Sequence, residues 1–204
     1  MKRLHPFLPP PSHPLVDKLY HEFPIPIRVK KARKTKLGDY RPPHQGKPAT
    51  ISINNNLNPF AFLITLLHEY AHHFTWMNYE EKAAPHGKEW KVYYVRLIRH
   101  FLERGVFPKE LEPALIKHIS NPASSSCYDV HLSRELRRYD SPGVKQMIEV
   151  LESLPEGSLF EYGKGRVFEK RERLRKRYKC FESKTGRIYL FHPLAEVKPL
   201  DRLP

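Results

Sequence analysis

Residues Leu66–Phe74 read LLHEYAHHF, three histidines and a glutamate set in an otherwise apolar run. On an α-helix, residues i and i+4 share a face. His68 and His72 therefore project side by side, and Glu69 sits one position round from them. His73 points about 100° away from His72 and reads as a packing or supporting residue. This is the HExxH pattern. Its two imidazoles ligate Zn2+, and its glutamate serves as general base toward a water.

The flanking residues support a helix here. Phe62, Leu63, Leu66, Leu67, Tyr70, Ala71 and Phe74 recur at spacings of three and four, from Pro59 to about Met77. Asn58 offers an N-cap, with Pro59 at the first helical position. After the polar break NYEEKAAPHG, a second helix reads from about Gly87 to Arg104. Trp90, Tyr93, Tyr94, Leu97, Ile98 and Phe101 form its apolar stripe, and Gly105 its C-cap.

A catalytic zinc takes three protein ligands. The extended motif HExxHxxGxxH fails, because Thr75 and Asn78 occupy the required Gly and His positions. Two candidates remain for the third ligand, Glu89 and the better-placed His86 of PHGKEW. His86 opens the second helix, and a short loop between antiparallel helices brings that position back over the pair. Gly87 would let the backbone pass close to the site.

Upstream, Pro24–Lys30 and Ala49–Asn54 alternate as strands, and Lys36–Asp39 reads as a turn. Thr50–Ile53 is a candidate exposed edge onto which a peptide substrate adds as a strand. Residues 1–24 are proline-rich and read as a surface segment. Lys109–Ile119, Leu132–Tyr139 and Val144–Leu154 are shorter helical candidates. From residue 155 the chain turns aromatic, β-branched and basic, with Lys184-Thr185-Gly186 as a hairpin turn, so 155–204 reads as a small antiparallel β-module. RVFEKRERLRKRY within it reads as strand over charged helix. The domains are thus 1–24, 25–154 and 155–204, in an α+β fold.

The chain has 204 residues and a net charge of +14. Residues 28–41 and 155–204 each carry +6, from seven basic and one acidic residue and from thirteen and seven. Two such segments point to a polyanion partner, most simply nucleic acid. Aromatics interleaved with the second segment (Tyr162, Phe168, Tyr178, Phe181, Tyr189) are candidate base-stacking residues, though half of them must face inward. No apolar run spans a membrane, and no signal-peptide pattern opens the chain, so a cytoplasmic location is expected. Cys127 and Cys180 form no CxxC and read as inert, and His100, His118 and His131 read as ordinary histidines.

The pairing of H68-E69-Y70-A71-H72 with H86-G87-K88-E89-W90, preceded by a β-hairpin that includes ATISINNNL, resembles the SprT-like (Spartan-type) zinc metalloproteases. The resemblance covers about residues 20–105. It implies a zincin-like fold, zinc ligands His68, His72 and His86, and Glu69 as catalytic base. It also implies proteolysis of proteins bound or crosslinked to DNA. Many members end in a four-cysteine zinc ribbon; this chain carries the basic β-module instead. The leading expectation is a zinc endopeptidase acting on DNA-associated proteins. The alternatives are a nucleic-acid-binding protein with structural zinc and no protease activity, and a zinc hydrolase for a non-peptide bond.

Overall fold

In the computed structural model, residues 2–33, 36–122, 129–140 and 149–200 are described. The chain divides into two compact units, Met1–Tyr139 and Asp140–Pro204.

The first unit opens with 3-10 turns at Lys2–Phe7 and Pro10–Ser12, then α1 (His13–Glu22). The expectation of a surface segment at 1–24 does not hold. Leu4, Leu8 and Val16 are buried in the unit's core, and the Arg3 guanidinium donates to Ile27 O at 3.1 Å. The prolines fix φ for tight turns, and the apolar residues between them supply the anchor.

Three strands follow: β1 (Ile27–Lys30), β2 (Gly38–Arg41) and β3 (Thr50–Asn54), in the order β1-β3-β2. β1 runs parallel to β3, with Ile27 opposite Ile51, and β2 runs antiparallel to it, with Tyr40 opposite Ile51. Two expectations are corrected here. Thr50–Ile53 is not an edge but the central strand, because buried Ile51 and Ile53 take a partner on both sides. Gly38 and Asp39 do not turn; they begin the edge strand β2.

α2 (Pro59–Tyr79) is the central helix. Asn58 caps it, its side chain accepting from Ala61 N at 2.9 Å, with Pro59 next in line. Phe62 to Leu67 are all buried, as are Glu69, Tyr70 and Ala71. A helix covered on so many sides must lie inside its domain. α3 (Lys88–Leu102) packs along it through Trp90, Tyr94, Ile98 and Phe101. Gly105 ends α3 at φ +65°, its N–H donating to Leu102 O at 3.0 Å. α4 (Glu112–Ser120) and α5 (Val130–Arg137) complete the unit. The Asn58 amide donates to Leu136 O at 2.9 Å, tying α5 to the start of α2.

The second unit is a six-stranded sheet in the order β4-β9-β5-β6-β7-β8. Its strands are β4 (Glu149–Val150), β5 (Leu159–Tyr162), β6 (Arg166–Arg173), β7 (Tyr178–Glu182), β8 (Ile188–Phe191) and β9 (Glu196–Leu200), every pair antiparallel. RVFEKRER is strand β6, and Thr185 and Gly186 turn between β7 and β8, with Gly186 at φ +68°. The expected helix Val144–Leu154 lies partly outside the described residues, and its remainder is not α-helical. Glu149 and Val150 pair with β9, and Leu151 and Leu154 plug the sheet's core. Residues 149–154 therefore belong with the β-module instead of the helical extension.

Lys170 is 4% exposed. Its ammonium donates to Leu154 O and, at 3.2 Å, to Glu152 O, and lies 4.2 Å from the Tyr178 ring centroid. The aromatics sort as the sequence required. Phe160, Phe168 and Phe191 make the core with Tyr178 and Tyr189 packed against it, while Tyr162 and Phe181 are exposed. Cys180 is buried, and burial pushes its thiol up to about 11, which keeps it unreactive. Cys127 lies outside the described residues. No helix among the described residues is long and apolar enough to cross a membrane.

Candidate metal centre

His68 and His72 leave α2 one turn apart, and His86 reaches them from the turn before α3. Their Nε2 atoms form a nearly equilateral triangle, 3.2 Å between His68 and His72 and 3.0 Å from each to His86. Hydrogen bonds cannot satisfy it. A neutral imidazole nitrogen either carries a proton or offers a lone pair, so at least one edge of the triangle must set like against like. A cation removes that conflict. Tetrahedral zinc with Zn–N near 2.0–2.1 Å wants nitrogens about 3.3–3.4 Å apart, so the donor set fits with a small expansion. Among the described residues, these three are the only His, Cys, Asp or Glu side chains gathered closely enough to hold a metal. Glu89 is not among them.

The electrostatics keep the donors in ligating form. Burial, then His72, His86 and His118, hold His68 well below the usual histidine range. Burial, then His86, brings His72 down to about 3, and burial lowers His86. All three stay neutral with lone pairs available.

The turn that delivers His86 is strained. Gly87 N donates to Ala84 O at 2.8 Å, closing a turn over Pro85 and His86, with His86 at φ +57°. Positive φ at the third residue of a Pro-containing turn normally calls for Gly or Asn. Gly87 serves this turn and not the passage of the backbone over the site. A methyl there would lie 2.9 Å from Ala84 O and 3.2 Å from Glu89 Oε2. Behind the triangle stands Trp90, fully buried, its ring centroid 4.6, 5.5 and 4.7 Å from those of His68, His72 and His86.

Glu69 points from α2 toward β2. It is 5% exposed. Burial pushes its carboxyl up to about 8 and Asp39 adds to that, while the backbone N–H of Tyr40 opposes both. Gly38 provides the berth, since a methyl built there would run into Glu69 Oε1. The Tyr40 ring stacks 6.3 Å from His72, and its hydroxyl meets His73 Nδ1 at 3.4 Å. His73 thus stays off the triangle and joins α2 to β2.

Gly38, Tyr40 and the wall role of Trp90 were not legible as site features. The stripe position of Trp90 announced burial without saying against what. His118 is a core histidine, 2% exposed between Tyr94 and Asp129. His100 is exposed and His131 half-buried. Of the basic residues in 28–41, Arg33 bonds Asn54 and Ser52, and Asp39 takes Lys36 and Arg41. Arg28, Lys30 and Lys31 are exposed.

Residues 16–109 match the family model of the SprT-like family, a span from within α1 to just past α3 that contains His68, Glu69, His72 and His86. α4, α5 and the β-sheet unit fall outside the matched span. No curated protein and no solved structure matches the chain. The SprT-like match supports a function of metalloprotease type.

Proposed function

We propose that this chain is a zinc-dependent endopeptidase of SprT-like type that acts on proteins bound or crosslinked to DNA. The observation that carries the reading is the convergence of the His68, His72 and His86 Nε2 atoms, with Glu69 buried next to His68 in the sequence of the same helix. The three imidazoles would hold Zn2+, which supplies a Lewis acid able to lower the pKa of water from about 16 to about 7. Three such ligands would leave one position of a tetrahedral zinc for water or substrate, the arrangement of catalytic zinc.

Glu69 is the base. Burial pushes its carboxyl up to about 8 in the metal-free site; the charge of a bound Zn2+ would lower it, leaving a carboxylate to take the proton of the attacking water and return it to the leaving amine. Gly38 and the Tyr40 N–H fix where that carboxylate sits, and Trp90 keeps one side of the histidine cluster dry. The edge strand β2, beside both Glu69 and His72, replaces β3 as the place for a substrate strand to add.

DNA association rests on charge. The exposed residues of 28–41 and the β6–β7 tip, where Arg175, Lys176 and Arg177 are all exposed, favour a phosphate backbone. Glu69→Gln should keep zinc and lose cleavage of a DNA-bound protein. Cleavage at the wild-type rate would refute the mechanism. Zinc retained with no proteolysis by the wild type on any DNA-bound substrate would favour a nucleic-acid-binding protein with structural zinc.

A further inference from the structure

Behind the histidine cluster, a chain of buried polar groups runs out of the matched span and into α4 and α5. Tyr94 stacks on Trp90, with ring centroids 4.8 Å apart and planes 16° from parallel. The Tyr94 ring also meets the His68 ring edge-on at 5.6 Å. Its hydroxyl lies 3.1 Å from Nε2 of His118 on α4. His118 Nδ1 lies 2.8 Å from Asp129 Oδ2, and Asp129 Oδ1 accepts from the backbone N–H groups of His131 and Leu132, both at 3.1 Å, capping α5.

The direction of these bonds follows from chemistry. An ionised carboxylate only accepts, so His118 Nδ1 carries a proton toward it. Nε2 faces the Tyr94 hydroxyl, which donates to it whenever that nitrogen carries a lone pair. Trp90, Tyr94 and His118 are each no more than 2% exposed, so no water substitutes for the Tyr94 hydroxyl or the His118 ring, whereas Asp129 lies partly exposed.

We propose that Asp129, His118 and Tyr94 are positioning residues for the metal centre, and that α4 and α5 thereby hold the orientation of His68. This rests on the reading of His68, His72 and His86 as zinc ligands. Hydrogen-bond partners of metal-binding histidines fix ring orientation, and their loss commonly costs 10- to 100-fold in metal affinity. Here the link to the imidazole is made by packed rings, so the lower end of that range is expected.

The test uses the full chain and two readouts, zinc affinity by chelator competition and the visible spectrum of the Co2+-loaded protein. Tyr94→Phe removes one oxygen and keeps the ring stack. It should raise the zinc Kd about tenfold and shift the Co2+ bands, and Asp129→Asn should do the same in smaller measure. Asp129→Asn also supplies both readouts if Tyr94→Phe does not fold. Wild-type zinc affinity and Co2+ spectrum in the folded variants, with only a lowered Tm, would overturn the proposal and leave a purely structural link. Absence of zinc binding by the wild type would instead remove the metal centre itself, and this inference with it.

Discussion

Gly38→Ala tests the geometry around Glu69 most sharply, because two effects of opposite sign compete. Gly38 is absent from the positive-φ positions of the chain. Its backbone therefore accepts Ala, and such a change normally stabilises by about 0.4–1 kcal/mol through the unfolded state. Space decides otherwise. The new methyl would overlap Glu69 Oε1, 2.9 Å from Glu69 Cδ and 2.7 Å from Thr65 Cγ2. Neither neighbour yields easily. Thr65 Oγ1 donates to Ala61 O at 2.8 Å, and Glu69 accepts from the Tyr40 N–H. Overpacking of this kind costs about 1–3 kcal/mol, so a net loss is expected. The assay is urea denaturation of metal-free Gly38→Ala, Glu69→Ala and the double variant. Glu69→Ala empties most of the contested space, so Gly38→Ala should cost at least about 1 kcal/mol less in that background, within the range seen for touching residues. The Thr65 contact leaves a residual penalty. Additivity to within about 0.5 kcal/mol would refute the claim that Gly38 exists to seat Glu69.

Three further outcomes are expected. His86→Gly and His86→Ala should both lose metal, but the Gly variant should be the more stable metal-free protein by about 1–2 kcal/mol, since φ +57° penalises Ala. Equal stabilities in denaturant would show that the turn is unstrained. Burial works to raise the Asp129 carboxyl, but the Leu132 N–H and His118, with the His131 N–H, outweigh it and hold it below the usual range. Its folded pKa is thus depressed; its stabilisation is full above the unfolded value near 3.9 and fades as pH falls through the folded one. The Tm gap between wild type and Asp129→Asn should close below about pH 4, and a gap constant down to pH 2 would contradict this. Finally, DNA affinity should fall steeply with salt, by about 0.7–0.9 in log–log slope for each phosphate contacted. Replacing Arg175, Lys176 and Arg177 by Ser should flatten that slope by about two units, and an unchanged slope would take the β-module out of the interface.

The helical half of the site was legible because it rests on local rules. Spacing of three and four gave α2 and α3, Asn58-Pro59 and Gly105 marked their ends, and the i,i+4 rule paired His68 with His72. Non-local features escaped. Thr50–Ile53 looked like an edge because alternation reports how a strand is buried, not which partners it takes. Gly38 looked like a turn because its smallness serves a side chain 31 positions later in the sequence. The proline-rich opening hid Leu4 and Leu8, whose burial depends on the fold of everything after them. The choice between His86 and Glu89 needed a loop conformation with positive φ, which no periodicity reveals. His118 appeared isolated because its partners, Tyr94 and Asp129, lie 24 and 11 residues away.

The most direct measurement of the central claim is metal content paired with proteolysis, for the wild type and His86→Ala side by side. The account predicts one zinc per chain and cleavage of a DNA-bound protein by the wild type, with both lost in His86→Ala. A wild type that purifies and reconstitutes without zinc, or a His86→Ala variant that keeps zinc and cleaves normally, would contradict it.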